Sequence, residues 1–251
     1  MPSDVNAVDE LDLPDLDSSA EPPGSPGPGR ARRRGSKGEQ TRRAIAEAAL
    51  RLFREQGYEA TTMRAIAQDA GVSTGNAYYY FGSKEELVQQ FYTANQAEHI
   101  AACRPLLDRE TDFAARLRGT LRALIGVSMP YHEFAARFFK YAAEPASPLS
   151  PLSKESSPAR DAAIALYGEV VDGSGLRIDP ELRAQLPELL WLYSLGVILF
   201  WVHDTSPGCA KTYQLIDRTV PLAARLVALA RMRLLRSIVR DVMSLIQDLR
   251  G

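Results

Sequence analysis

The 251-residue sequence predicts an all-α protein, with an N-terminal three-helix helix-turn-helix unit followed by a larger helical domain. Three observations carry that reading. Apolar residues recur at helical spacing, as in Ile45, Ala49, Leu52 and Phe53, which fall at i, i+4, i+7 and i+8. Helix-start signals are frequent: "SKEE" at 83–86 reads as a capping box, and Ser157-Pro158, Asp179-Pro180 and Ser206-Pro207 each put proline at a first helical position. Strand signals are nearly absent, with no alternating β-branched runs and no Asn-Gly hairpin.

Taken in order, residues 1–36 are acidic, then rich in Pro and Gly, with little to bury, and are expected to be a disordered tail. A first helix begins near Lys37 and stops near Gly57. A short helix over "TMRAIAQDA" follows, capped by Thr61 or Thr62 and closed by Gly71. Another short helix starts after Ser73 and ends by Gly82, completing a compact unit over 37–83. Ser83 caps a fourth helix that runs from Lys84 towards Arg104. The rest, 84–251, reads as one helical domain. Its one long irregular stretch, "PASPLSPLSKESSP" (145–158), exceeds an ordinary helix connection and is expected to be either a functional flap, placed over the entrance of an effector pocket, or a mobile insert.

The net charge of −1 conceals a polarised chain. Residues 1–29 carry seven acids and no base, 30–84 carry eleven bases and five acids, and 85–251 carry 19 of each. A basic block in an otherwise neutral chain points to one segment that faces a polyanion. Cys103 and Cys209 lie far apart without metal-like spacing, which suits free thiols in a reducing cytoplasm. The start of the chain lacks a secretory pattern. The longest apolar run, "LLWLYSLGVILFWV" (189–202), is expected to be a buried helix, too short to span a bilayer. A soluble cytoplasmic protein that does not use a membrane is expected.

The stretch "GVSTGNAYYYFG" (71–82) sets a puzzle. Neighbours on a helix point about 100° apart, so one buried face cannot take three consecutive tyrosines. If Ala77 and Phe81 share the inner face, then Gly75, Asn76, Tyr78, Tyr79 and Tyr80 face outward. Glycine admits close backbone approach. Tyrosine hydroxyls and an Asn amide suit phosphate oxygens and base edges. As the second of two short helices joined by "AGVS", this surface suits a helix entering a DNA major groove. The competing reading is a helical corner whose tyrosines pack on neighbouring helices. The upstream "RARRRGSKGEQTRR", with Arg33, Arg34 and Lys37, could follow a phosphate track or minor groove; otherwise it is a solubilising tail.

Residues 41–88, "TRRAIAEAALRLFREQGYEATTMRAIAQDAGVSTGNAYYYFGSKEELV", resemble the DNA-binding domain of the tetracycline-repressor (TetR) family of bacterial transcriptional regulators. The resemblance implies an all-helical homodimer that binds operator DNA through its first three helices and uses the rest for effector binding and dimerisation. It further implies that Thr62 bonds a phosphate as a helix cap. Thr74, Gly75, Asn76 and Tyr78 would meet the groove, Tyr79 and Tyr80 would contact base or phosphate, and Lys84 would clamp the backbone. Ala77 departs from the family pattern, which has a larger apolar residue there.

The larger half must be read from its own residues. The segment 186–204 is apolar nearly all round, which suits burial on every side; Gly196 would permit close helix approach in a dimer. Polar and aromatic groups within apolar helices mark a candidate cavity for a small apolar or amphipathic effector: His132, Phe138, Phe139, Tyr167, Trp191, Tyr193, Trp201 and His203. Taken singly, each of these residues reads as core. Glu98 and His99 read as an exposed helix pair. No metal motif, cofactor loop or nucleophile elbow stands out, so neither metal nor cofactor is expected, nor is enzymatic activity. The function expected is a ligand-responsive regulator, read as a repressor, that binds a palindromic operator. The alternatives are a DNA-binding regulator answering to a protein partner, or a helical enzyme using His132 or His203 as acid or base.

Overall fold

A computed structural model describes residues 29–144 and 146–229, with side chains from Lys37 onward. Nine α-helices occur among the described residues: α1 (Gly29–Gln56), α2 (Met63–Asp69), α3 (Thr74–Tyr80), α4 (Lys84–Leu107), α5 (Phe113–Ser128), α6 (His132–Ala143), α7 (Ser157–Asp172), α8 (Pro180–Val202) and α9 (Ala210–Leu229). The described residues contain no strand. Helix α1 starts at Gly29, eight residues before the expected boundary at Lys37. Alanine and arginine are good helix formers, and "RARRR" extends the helix where composition alone suggested a tail. The acidic segment 1–28 lies outside the described residues.

The caps predicted for α2, α3 and α4 form, whereas α7 is entered at Ser156, one residue before the expected Ser157, without a side-chain capping bond. Thr62 Oγ1 accepts from Ala65 N, and Ser73 Oγ from Asn76 N. Ser83 Oγ accepts from Glu86 N at 3.3 Å, while the Glu86 carboxylate reaches back to Gly82 N at 2.6 Å, one residue beyond the capping-box position. Gly57 and Gly71, which follow α1 and α2, have φ of 86° and 67°, a region that side chains with a Cβ avoid.

One apolar core joins Ile45, Ala49 and Phe53 of α1, Ile66 of α2, Ala77 and Phe81 around α3, Leu87 and Val88 of α4, and Phe134 and Phe138 of α6. A second holds the distal half of α4 with α5, α7, α8 and α9, through residues such as Leu117, Leu121, Leu166, Trp191, Val197 and Ile216. Helix α4 takes part in both.

Arg116 is 3% exposed and donates to the backbone oxygens of Leu107, Glu110, Glu169 and Val170, stapling the ends of α4 and α7 to α5. A Cβ on Gly173 would lie 2.2 Å from that guanidinium. Asp204 closes the α8–α9 turn. Its burial opposes ionisation, but bonds from Ser206 and Thr212 outweigh this and hold its carboxyl well below the usual range.

Helix α8 corrects two expectations. It runs for 23 residues, so by length and composition it could cross a membrane, which the shorter apolar run concealed. It is also not buried on every side. Leu182, Leu186, Leu190, Trp191, Val197 and Trp201 face the core, whereas Gly196, Leu199 and Phe200 are exposed.

Candidate functional site

Ala77 and Phe81 are both fully buried, which sets the rotation of α3 about its axis. Gly75, Asn76 and Tyr78 are consequently exposed, Tyr79 is 81% exposed, and Tyr80 is half-buried with its ring edge-on to Tyr79. Thr74 joins them at the start of the helix. Tyr80 packs in part against the N-terminal core, while Tyr78 and Tyr79 do not pack into a helical corner. They form an outward, uncharged surface of phenols, an amide and a bare backbone. Thr62 is exposed at the start of α2, with its oxygen already accepting from Ala65 N, which leaves the hydroxyl proton to donate outward. Lys37 is exposed on α1, whereas Arg33 and Arg34 precede the described side chains.

Lys84 sits differently from a backbone clamp. Its Nζ donates to Tyr58 O at 3.0 Å and approaches Glu59 O and Thr61 O at 3.4 Å. It also lies 4.3 Å from the centre of the Tyr58 ring. An ammonium has three N–H donors, and three carbonyls of the α1–α2 connection face them. Tyr58 in turn donates to Glu85, and its hydroxyl is made less acidic by burial and by that carboxylate. The first turn of α4 is thus fastened to the chain entering α2.

A cavity of about 480 Å³ opens among α4, α5, α6, α7, α8 and the 146–156 segment. Its walls are aromatic and aliphatic: Phe91, Tyr92, Leu124, Phe134, Phe139, Trp191, Leu195 and Trp201. Asn95, Gln96, Ser128, Ser150, Ser156 and Arg160 supply polar atoms. The proline-rich stretch forms one wall through Ser150, Pro151, Leu152 and Ser156. It is tied to α4: Gln89 Nε2 donates to Pro148 O at 2.6 Å and to Ser156 Oγ at 3.1 Å, and Tyr92 donates to Leu149 O at 3.1 Å.

Of the eight expected cavity residues, Phe139, Trp191 and Trp201 line it; the other five do not. Nε2 of His132 lies 2.8 Å from Trp201 O, a contact that ties α6 to the end of α8. His203 is exposed at the end of α8, where Nδ1 meets Leu199 O, as a residue capping a helix C-terminus does. Phe138 stacks on Phe134 and faces Tyr58 in the N-terminal core. Tyr167 is enclosed in the α5–α7–α8 core, and Tyr193 turns to Thr219 of α9. An aromatic or imidazole ring on an apolar helix has several buried directions available, and sequence periodicity does not choose among them.

Among the residues missed, a connected group lies on α4. Asn95, Gln96, His99 and Cys103 continue the inner face begun by Leu87, Val88, Phe91 and Tyr92, a stripe the helical period would have exposed. His99 is therefore not an exposed partner of Glu98: it is 1% exposed, with Nε2 2.9 Å from Thr120 O. Burial lowers its pKa, against the opposing pull of that carbonyl, so it stays neutral to lower pH than a free imidazole. Among the described residues no group of three His, Cys, Asp or Glu side chains could hold a metal ion. Cys103 and Cys209 are buried free thiols.

Residues 45–91 match the bacterial regulatory proteins of the tetR family, and residues 116–245 match the tetracyclin repressor-like C-terminal domain. The chain belongs to the TetR family. Among curated relatives, the regulator BetI of Rhizobium meliloti is 41% identical over 101 residues, 38% of this chain and 44% of BetI. The repressor KstR2 of Mycobacterium tuberculosis is 35% identical over 79 residues, 32% of this chain and 40% of KstR2. This TetR-family chain thus spans less than half the length of these curated relatives. Solved structures match more fully. The Thermus thermophilus repressor FadR, determined with lauroyl-CoA, is 26% identical with a TM-score of 0.53, covering 71% of this chain and 92% of FadR. A regulator from Nitrosomonas europaea, 17% identical with a TM-score of 0.57 over 73% of this chain and 97% of its own, shares the fold.

Proposed function

We propose that this TetR-family regulator is a repressor that binds a palindromic operator as a homodimer and is released when an apolar or amphipathic small molecule enters the cavity. In this reading, residues 37–83 contact DNA and 84–251 hold the effector and the partner subunit. The observation that carries it is the placement of α4, which lines the 480 Å³ cavity and begins four residues after the exposed face of α3 ends. A molecule filling the cavity presses on the same helix that positions the DNA-reading surface. It shifts the DNA-binding equilibrium only by fitting the two arrangements of α4 unequally.

The lauroyl-CoA bound by the Thermus FadR, whose fold this chain shares, supports an apolar chain as the occupant. The naming of the relatives as transcriptional regulators supports a non-enzymatic role. For the homodimer, the support is a pair of exposed apolar stripes: Leu199 and Phe200 on α8, and Leu222, Leu226 and Leu229 on α9.

The test is selection of an operator from a random DNA pool, followed by mobility-shift titration. The wild-type protein should recover a two-half-site sequence, and micromolar lauroyl-CoA should weaken its binding. Tyr79→Ala should weaken binding by about five- to 150-fold, the equivalent of about 1–3 kcal/mol for a lost direct base contact. A folded wild-type protein that enriches no sequence would overturn the reading.

A further inference from the structure

Most residues that line the cavity are buried or half-buried, but four are exposed: Ala143 at the end of α6, Leu152 of the proline-rich segment, and Gly196 and Leu199 of α8. All four are apolar or small. Gly196 and Leu199, three residues apart, share one side of α8, and Phe200 joins them at i+4 from the glycine. Leu199 is 46% exposed and Phe200 40%. At Gly196 the cavity wall is bare backbone, and a Cβ built there has no neighbour within 4 Å among the described residues. The same stretch of α8 is thus a wall of the cavity and an apolar face that the single chain leaves in water.

We propose that a second copy of the chain completes this wall, so that the effector is enclosed by both subunits at the dimer interface. The inference rests on the effector-responsive homodimer proposed above and deepens it. Three features fit the face to its own copy. It carries no charge between Leu189 and Val202, so nothing in it selects a polar partner. A twofold interface sets one patch against itself and requires self-complementarity. Gly196 is a hollow beside Leu199 and Phe200, whose side chains can fill the same hollow on a copy. The apolar face also continues onto α9, which packs beside α8, through Leu222, Leu226 and Leu229.

An occupant held between two subunits bears on the angle between them. The half-sites of a palindrome lie about 34–36 Å apart, so that angle decides whether both α3 helices reach their grooves together. A molecule that fits one subunit arrangement better than the other shifts the dimer towards it. The effector then acts through the seam between subunits as well as through α4. Effector binding and dimerisation become linked, each strengthening the other.

The test compares lauroyl-CoA binding by dimers and monomers of the full chain, followed by the fluorescence of Trp191 and Trp201 in the cavity wall. Leu226→Arg should give monomers without altering the cavity, because Leu226 is 68% exposed on α9 and does not line it. Those monomers, if folded, should bind lauroyl-CoA at least tenfold more weakly than wild-type dimers. Saturating lauroyl-CoA should in turn lower the wild-type dimer dissociation constant at least tenfold. In the dimer, a water-soluble maleimide should label Leu199→Cys at least tenfold more slowly than Tyr79→Cys, although both positions are exposed in the single chain. Equal labelling would leave Leu199 uncovered and overturn the inference, whether or not Leu226→Arg dissociates. Labelling equally slow in monomers would place the chain's own residues 230–251 over Leu199 and overturn it too. Monomers that bind lauroyl-CoA as tightly as dimers overturn it and leave the effector reading standing. Wild-type protein that is monomeric throughout removes the homodimer and the inference together. Wild-type protein that binds no lauroyl-CoA removes the effector reading and the inference with it.

Discussion

Lys84 illustrates how far a single residue can be read without its neighbours. The motif places a lysine at the start of α4, where a phosphate contact is the natural expectation. In the folded chain its ammonium faces three carbonyls and the Tyr58 ring instead. We propose that such a lysine acts on DNA binding by fixing the α1–α2 connection and the first turn of α4. Lys84→Met should therefore lower stability by about 1.5–3 kcal/mol, the range for hydrogen bonds involving a charged group. Operator affinity should fall as well, but the slope of log affinity against log salt should stay as in wild type. A lost phosphate contact would reduce that slope by about one unit, so a flatter slope for Lys84→Met returns the residue to the backbone-clamp role. The outward face of α3 was legible because Ala77 and Phe81 leave only one rotation for a seven-residue helix. The seat of Lys84 was not, because its partners are backbone oxygens more than 20 residues upstream.

At the scale of elements, caps and prolines marked most helix starts, and α4, α8 and the turn into α9 begin where those signals lie. What they did not give is the rotation of the long helices. Helix α8 has apolar residues on every side, so its sequence carries no stripe to tell a core face from an exposed one. The proline-rich segment was readable as a flap over the pocket, but not what holds it there, since its anchors, Gln89 and Tyr92, sit about 60 residues earlier. Those anchors make a prediction. Gln89→Ala removes the bonds to Pro148 O and Ser156 Oγ while leaving the aromatic walls in place. Trypsin should then cut after Lys154, an exposed residue of the segment, several-fold faster than in wild type. Occupancy of the cavity by lauroyl-CoA should slow that cut. Equal cleavage rates in the two proteins would mean that Tyr92 and the serine network hold the segment without Gln89.

At the scale of the whole molecule, the question is what covers the apolar residues that a single chain leaves in water. Leu222, Leu226 and Leu229 recur along α9 at i, i+4 and i+7 and are 55%, 68% and 44% exposed. Gly196, Leu199 and Phe200 mark the corresponding face of α8. Burying a leucine side chain contributes about 1.5–3 kcal/mol, so pairing these stripes with those of a second copy supplies a strong association. A palindromic operator requires such a yoke, because half-sites lie about 34–36 Å apart and both recognition helices must reach them together. Gly196 offers a clean probe. A Cβ built there has no neighbour within 4 Å among the described residues, so Gly196→Phe should leave the protomer folded and obstruct the approach of a partner helix. Leu226→Arg should act in the same direction by placing a charge in the apolar seam. Light scattering should report monomers for both variants at concentrations where wild type is dimeric. Mobility shifts should show binding to a two-half-site operator lost, while circular dichroism retains the helical signal. A folded Gly196→Phe protein that remains dimeric would move the interface away from α8, and the same result for Leu226→Arg would move it away from α9.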